Sequence, residues 1–126
     1  MIVSRLIGGL GNQMFQYAAG RSLAVANDFE FKLDVSGFEN YKLHNGYELS
    51  LFNIQASIAN DTEISSLVNV QSRLTRFISR KLGLKNKSHF IEKDFTFDPH
   101  FIDIKRAVYI DGYWQSYKYF ELIESQ

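Results

Sequence analysis

The first 34 residues constrain the fold more than anything that follows them. Ile2-Val3-Ser4-Arg5-Leu6-Ile7 is a short β-prone run that stops at Gly8-Gly9. Over residues 12–27 the apolar residues recur at helical spacing. Phe15, Ala18, Ala19, Leu23 and Ala26 share one side, with Met14, Tyr17 and Val25 beside them. A stripe this wide suits a helix packed on a sheet. Gly20 sits inside that helix although it costs about 1 kcal/mol relative to Ala, which points to close approach by a neighbouring element. Residues 29–34 (Phe29-Glu30-Phe31-Lys32-Leu33-Asp34) alternate apolar and polar, the period of a half-buried strand. Strand, glycine turn, helix and strand in succession make a βαβ unit, which implies parallel pairing and a right-handed crossover. The expected fold is α/β, a Rossmann-like parallel sheet with flanking helices.

Further along, residues 35–60 are loop-rich and punctuated by Gly37, Asn45-Gly46 and Asn60-Asp61. Asn60 followed by Glu63 reads as a capping box that opens a helix over 61–82, closed by Gly83. Arg73, Arg76 and Arg80 share one face of it, and Lys81, Lys85 and Lys87 follow. Such a face is either simply solvated or a peripheral patch for anionic lipid or a lipid-linked substrate. Residues 88–92 and 107–111 are further strands, with a turn at Asp98-Pro99 between them. Trp114, Tyr117, Phe120 and Ile123, at three-residue spacing, suggest a last helix over 114–124. A doubly wound sheet usually has more strands than this. Residues 1–126 are therefore expected to form one small domain, incomplete at its C-terminal side.

Composition removes several function classes. Aromatic residues make up 15% of the chain, too many for intrinsic disorder. Lys and Arg number 14 and Asp and Glu number 14, so no basic excess draws the chain to nucleic acid. Cysteine is absent, which excludes a disulfide framework, a thiolate metal site and a Cys nucleophile, and is consistent with a reducing cytoplasm. The N-terminal apolar run breaks at Ser4-Arg5, short of a signal peptide, and no run approaches the roughly 18 apolar residues of a membrane span. His44, His89 and His100 lack metal-ligand spacing, and no Asp-x-Asp pair occurs, so no metal is expected.

Chemistry centres on Gly8-Gly9-Leu10-Gly11-Asn12-Gln13, between a strand and a helix. Glycines there allow a tight turn, and a helix N-terminus favours a phosphate or a developing anion. The dinucleotide fingerprint is incomplete, because its third glycine would fall at Met14; Asp34 stands where a ribose-binding acid would. A ligand-free βα turn and a dinucleotide site both remain open on these residues. Asn12 either caps the helix or, with Gln13, donates to a sugar hydroxyl or phosphate oxygen. Asp34, Asp94, Asp98, Asp103 and Asp111 are all candidate bases, and spacing does not choose among them. The aromatic stretch from Tyr109 to Phe120 either stacks a sugar or fills the core.

The run from Gly8 to Gly20, Gly-Gly-Leu-Gly-Asn-Gln-Met-Phe-Gln-Tyr-Ala-Ala-Gly, resembles the opening motif of the bacterial α-1,2-fucosyltransferases of glycosyltransferase family 11. Tyr47-Glu48-Leu49-Ser50-Leu51-Phe52, Phe97-Asp98-Pro99-His100-Phe101 and the stretch from Asp111 to Phe120 resemble later segments of that family, in order. The resemblance implies inverting, metal-independent transfer of fucose from GDP-fucose to the 2-hydroxyl of a terminal galactose, with no cofactor. It implies two facing Rossmann-like domains, the N-terminal one serving the acceptor and the C-terminal one holding the donor. Gly9, Gly11, Asn12 and Gln13 would form a loop near the donor diphosphate, and Asp34, Trp114 and Gln115 would lie on the acceptor side. The catalytic base is not identified. The acceptor would be an O-antigen or capsule glycan, often lipid-linked, at the cytoplasmic face of the inner membrane, with Arg73, Arg76 and Arg80 as the membrane contact. The family's His-x-Arg-x-Asp signature belongs to the C-terminal half and does not occur here. The chain is accordingly expected to be the N-terminal half of such an enzyme and inactive alone. The alternatives are a dinucleotide-binding oxidoreductase fragment and a non-catalytic remnant.

Overall fold

The computed structural model describes residues 1–39, 46–68 and 88–121. Among these residues, five strands form one sheet in the order β3-β2-β1-β5-β4, and each of their pairings is parallel. They are β1 (Ile2–Arg5), β2 (Phe31–Asp34), β3 (Ser57–Ile58), β4 (His89–Ile91) and β5 (Val108–Asp111). The helix α1 (Leu10–Asn27) joins β1 to β2, and α2 (Asp61–Leu67) follows β3. This is the α/β Rossmann-like arrangement expected from the βαβ opening.

Alternation along β1 divides the two faces. Ile2 joins Leu33, Val108, Ile110, Ala19 and Leu23 in the larger core, and the Ser4 hydroxyl donates to Gln16 O of α1 at 2.9 Å. Val3 points the other way, into a smaller cluster with Ala59, Tyr109 and Leu67 of α2. Gly20 has the role its position suggested. A Cβ there would lie 2.5 Å from the Phe31 ring and 3.0 Å from the Ser4 Cβ, so its absence lets α1 seat against β1 and β2.

The structure revises four expectations. Helix α1 begins at Leu10, not residue 12, because Gly9 occupies the N-cap in an extended conformation. Its buried side runs through Gln13, Gln16, Ala19, Gly20, Leu23 and Ala24, whereas Ala26 is exposed; the apolar stripe read from sequence is therefore rotated toward two glutamines. Helix α2 does carry the capping box, with Glu63 N–H donating to the Asn60 side chain at 2.8 Å and Asn60 N–H to the Glu63 carboxylate at 3.0 Å. It ends at Leu67, however, since Val68 turns extended (φ −110°, ψ 113°). The rest of the expected helix, with Arg73, Arg76, Arg80, Lys81, Gly83, Lys85 and Lys87, lies outside the described residues, as does His44. Of the helix expected over 114–124, residues 114–120 form only a 3-10 turn, Tyr117–Tyr119, and residues 122–124 lie outside the described residues. Trp114 sits at φ 55°, a left-handed conformation that no helix continues through. Three-residue aromatic spacing matches the 3-10 repeat as well as the α one.

Among the described residues, no helix is long and apolar enough to cross a membrane, and no group of three or more His, Asp and Glu side chains could hold a metal ion.

Candidate functional site

The chain builds β2 and β3 to one side of β1, then β4 and β5 to the other. Strand order reverses between β1 and β5, and open α/β sheets bind ligands in the crevice outside the carboxyl ends of the strands at such a point. Two segments meet there: the glycine turn after β1 and the loop 112–116 after β5.

The glycine turn is shaped from within. Gly8 has φ 78°, and a Cβ there would lie 2.6 Å from Asn12 Nδ2. Gly9 caps α1 without any side-chain hydrogen bond, and no acidic residue occupies the first helical turn. The bond from Gln13 N–H to Gly9 O (3.0 Å) is the first of the helix, so the N–H groups ahead of it have no intrahelical acceptor. Gly11 is exposed, with open space over its Cα. The result is a helix start that presents backbone donors and a positive dipole end with no carboxylate of its own first turn competing for them.

Gln13 is turned inward and fully buried. Its Nε2 donates to Gly8 O at 3.1 Å and Gly46 O at 2.8 Å, while its Oε1 accepts from Glu48 N–H at 3.0 Å. This carboxamide bolts the turn to residues 46–48. Gln16, also buried, accepts Ile7 N–H on Oε1 at 3.0 Å. Asn12 behaves differently. It is half-buried, and its Oδ1 accepts Gln115 Nε2 at 2.6 Å, joining the two edges of the crevice by exposed carboxamides.

Loop 112–116 is held by a carboxylate from the neighbouring strand. Glu92 accepts the N–H groups of Tyr113 and Trp114, both at 3.1 Å. Those two bonds hold Trp114 in its left-handed conformation. Its indole is fully buried against Phe90, Phe101 and Tyr119, at centroid distances of 6.0, 5.0 and 5.2 Å. Trp114 therefore reaches the site through its backbone alone, and only Gln115 of this loop presents its side chain to Asn12.

Asp34 lies at the carboxyl end of β2 and is buried. Its Oδ1 accepts from Ser36 N–H (2.9 Å) and hydroxyl (2.6 Å), and its Oδ2 from the Tyr109 hydroxyl (2.5 Å). Burial, with Asp34 next, pushes the Tyr109 phenol far up. A carboxylate occupied in this way does not face a ribose, which removes one of the two features, Gly9-x-Gly11 and Asp34, on which the oxidoreductase alternative rested.

Asp111, at the end of β5, was one of five undifferentiated acids in the sequence. Burial works against its ionisation, but His89 Nε2 at 3.1 Å and Arg5 at 3.1 Å outweigh that and hold its carboxyl below the usual carboxylate range. A depressed pKa in the folded state stabilises the fold above the unfolded value of about 3.9, and that contribution disappears as pH falls through the folded value. The stability gap between wild type and Asp111→Asn, from urea melts, should be level above about pH 5 and narrow below about pH 4. A gap that widens in acid would contradict the pairing.

The chain is 35% identical over 125 residues to the alpha-1,2-colitosyltransferase of Escherichia coli, an alignment covering 95% of this chain and 41% of that protein. No protein-family model matches the chain, and no solved structure matches it. The chain is thus related to a glycosyltransferase along nearly all of its length, and spans about two-fifths of that relative.

Proposed function

We propose that residues 1–126 form the acceptor-side domain of an inverting, metal-independent α-1,2-fucosyltransferase. In this reading fucose passes from GDP-fucose to the 2-hydroxyl of a terminal galactose on a cell-surface glycan. The similarity to the E. coli transferase carries the reading, together with the place of the Gly8–Gly20 block at the crevice where the strand order reverses. The α1 N-terminus supplies backbone donors for charge developing on the departing diphosphate; one such donor is commonly worth roughly 100- to 1,000-fold in rate. Gly9 and Gly11 keep that approach open, Asn12 and Gln115 address sugar or phosphate oxygens, and Gln13 fixes the shape of the turn. Asp34 and Trp114 support the site from inside the fold. The acceptor is an O-antigen or capsule repeat, lipid-linked at the cytoplasmic face of the membrane, with Arg73, Arg76 and Arg80 as the peripheral contact.

The printed name of the relative favours a second reading of the donor, in which the transferred sugar is colitosyl. Both readings are tested by one chimera, in which this chain replaces the matching 125 residues of the E. coli transferase. Fucose transfer to a galactoside supports the first, and exclusive use of the colitosyl donor supports the second. A folded chimera that transfers neither sugar counts against both. These 126 residues alone should release no GDP from GDP-fucose, because the arginine of the His-x-Arg-x-Asp signature, the strong bidentate handle for a diphosphate, is not among them. Sustained GDP release by the chain alone would refute that expectation.

A further inference from the structure

A cleft of about 270 Å³ opens beyond the carboxyl ends of β4 and β5, and Ile7, just ahead of the glycine turn, closes one side of it. We propose that this cleft binds one neutral sugar ring, stacked on Phe95 and Tyr113 and hydrogen-bonded through a hydroxyl to Asp94, whose Oδ1 alone is engaged among the described residues, by Thr96. Its role as the acceptor subsite rests on the transferase reading; its choice of ligand rests on the cleft itself.

Size comes first. The volume lies just below the roughly 300 Å³ at which sites for drug-sized ligands begin, enough for a monosaccharide ring and too little for a whole nucleotide sugar. The apolar wall is the second observation. Phe95 is 74% exposed, and its ring lies 6.0 Å from that of Tyr113 at 41°. A large ring left in water at the mouth of a cleft gains by covering an apolar surface, and the C–H face of a pyranose offers one.

Charge narrows the ligand further. Among the described residues, Glu92, Asp94 and Asp111 line the cleft against Lys93 alone, with Arg5 behind Asp111 offsetting one of the three. Glu92 is engaged by the backbone of Tyr113 and Trp114. Asp94 is held below the usual carboxylate range by hydrogen bonds from Thr96, as Asp111 is by His89 and Arg5. Ionised carboxylates accept hydrogen bonds only, so they suit hydroxyl donors and repel phosphate. The neighbouring α1 N-terminus has the opposite preference. The two halves of the crevice therefore divide a neutral sugar from a diphosphate by charge.

The test is a 1H–15N NMR titration of the 126-residue chain with methyl galactoside and, separately, with GDP. The galactoside should move the resonances of residues 91–95 and 111–113 and leave those of residues 9–12 in place. Phe95→Ala should weaken the galactoside about tenfold with the remaining spectrum intact, since that ring packs on little else. Saturable galactoside shifts elsewhere, no shifts at millimolar ligand, or equal affinity in Phe95→Ala would each overturn the subsite. The transferase reading fails separately. Galactoside bound at the cleft of a chimera that transfers from no donor keeps the subsite and removes the reading. Transfer with an unchanged acceptor KM in the Phe95→Ala chimera keeps the reading and removes the subsite.

Discussion

Gln13→Ala is expected to destabilise the fold by about 3 kcal/mol, a large share of the stability of a small domain. The substitution deletes three hydrogen bonds at once and leaves Gly8 O, Gly46 O and Glu48 N–H without that partner. Each group stranded away from water costs roughly 1–3 kcal/mol, and relaxation of the turn recovers part of it. Asn12→Ala at the neighbouring position should cost under about 1 kcal/mol, because its bond to Gln115 is exposed and water can replace it. In the active chimera the ranking should invert per folded molecule: Asn12→Ala lowers turnover, whereas Gln13→Ala acts chiefly by lowering the folded fraction. Urea denaturation of both variants checks this. A Gln13→Ala midpoint equal to wild type would show that the buried carboxamide does not hold the turn.

Gly112→Ala should be the most damaging single-carbon addition at the crevice, at about 2–3 kcal/mol. The added Cβ would lie 2.5 Å from Glu92 Cβ and 3.0 and 3.1 Å from two atoms of the Trp114 ring. Neither neighbour yields easily. Glu92 follows the paired strand β4 and is tied to two backbone N–H groups, and Trp114 is enclosed on all sides. Gly11→Ala is the control. A Cβ there meets nothing within 4 Å, so only helix propensity changes, in favour of Ala by up to about 1 kcal/mol. Thermal melts of the two variants should move in opposite directions. Loss of the Asn12–Gln115 contact in Gly112→Ala should appear as sharpened, solvent-like side-chain amide signals.

The βαβ opening was legible because each of its signals is local. The glycine turn, the helical spacing and the two-residue alternation all lie within 34 residues, and so does the parallel pairing they imply. The capping box at Asn60 and Glu63 was legible for the same reason. Elements set by distant partners were not. Strand β3 has two residues, both exposed, and carries no pattern of its own. The left-handed backbone of Trp114 is imposed by Glu92, 22 residues away, so no reading of residues 114–124 alone could exclude a helix. At the site, the glycines announced the turn, but the inward aim of Gln13 ran against the usual exposure of glutamine. A usable signal existed: Gln13, Gln16, Gly20 and Leu23 recur at three- and four-residue spacing on one helical stripe. The Asn12–Gln115 bond joins residues 103 apart and left no local trace.

The central position of β1 also sets the order in which the molecule can be assembled. Its partner β2 lies about 30 residues away and can pair early, whereas β5 reaches it only after more than 100 residues, as the Arg5–Asp111 contact shows. Chain closure over longer loops is entropically less favourable, and non-local pairing slows folding. On the ribosome, the glycine turn and α1 can be in place long before Asp111 and Gln115 emerge. Until then the turn faces an unfinished sheet edge. The crevice is completed only once β5 has emerged and paired with β1, so a chain stalled before residue 108 would carry the whole glycine motif and no site.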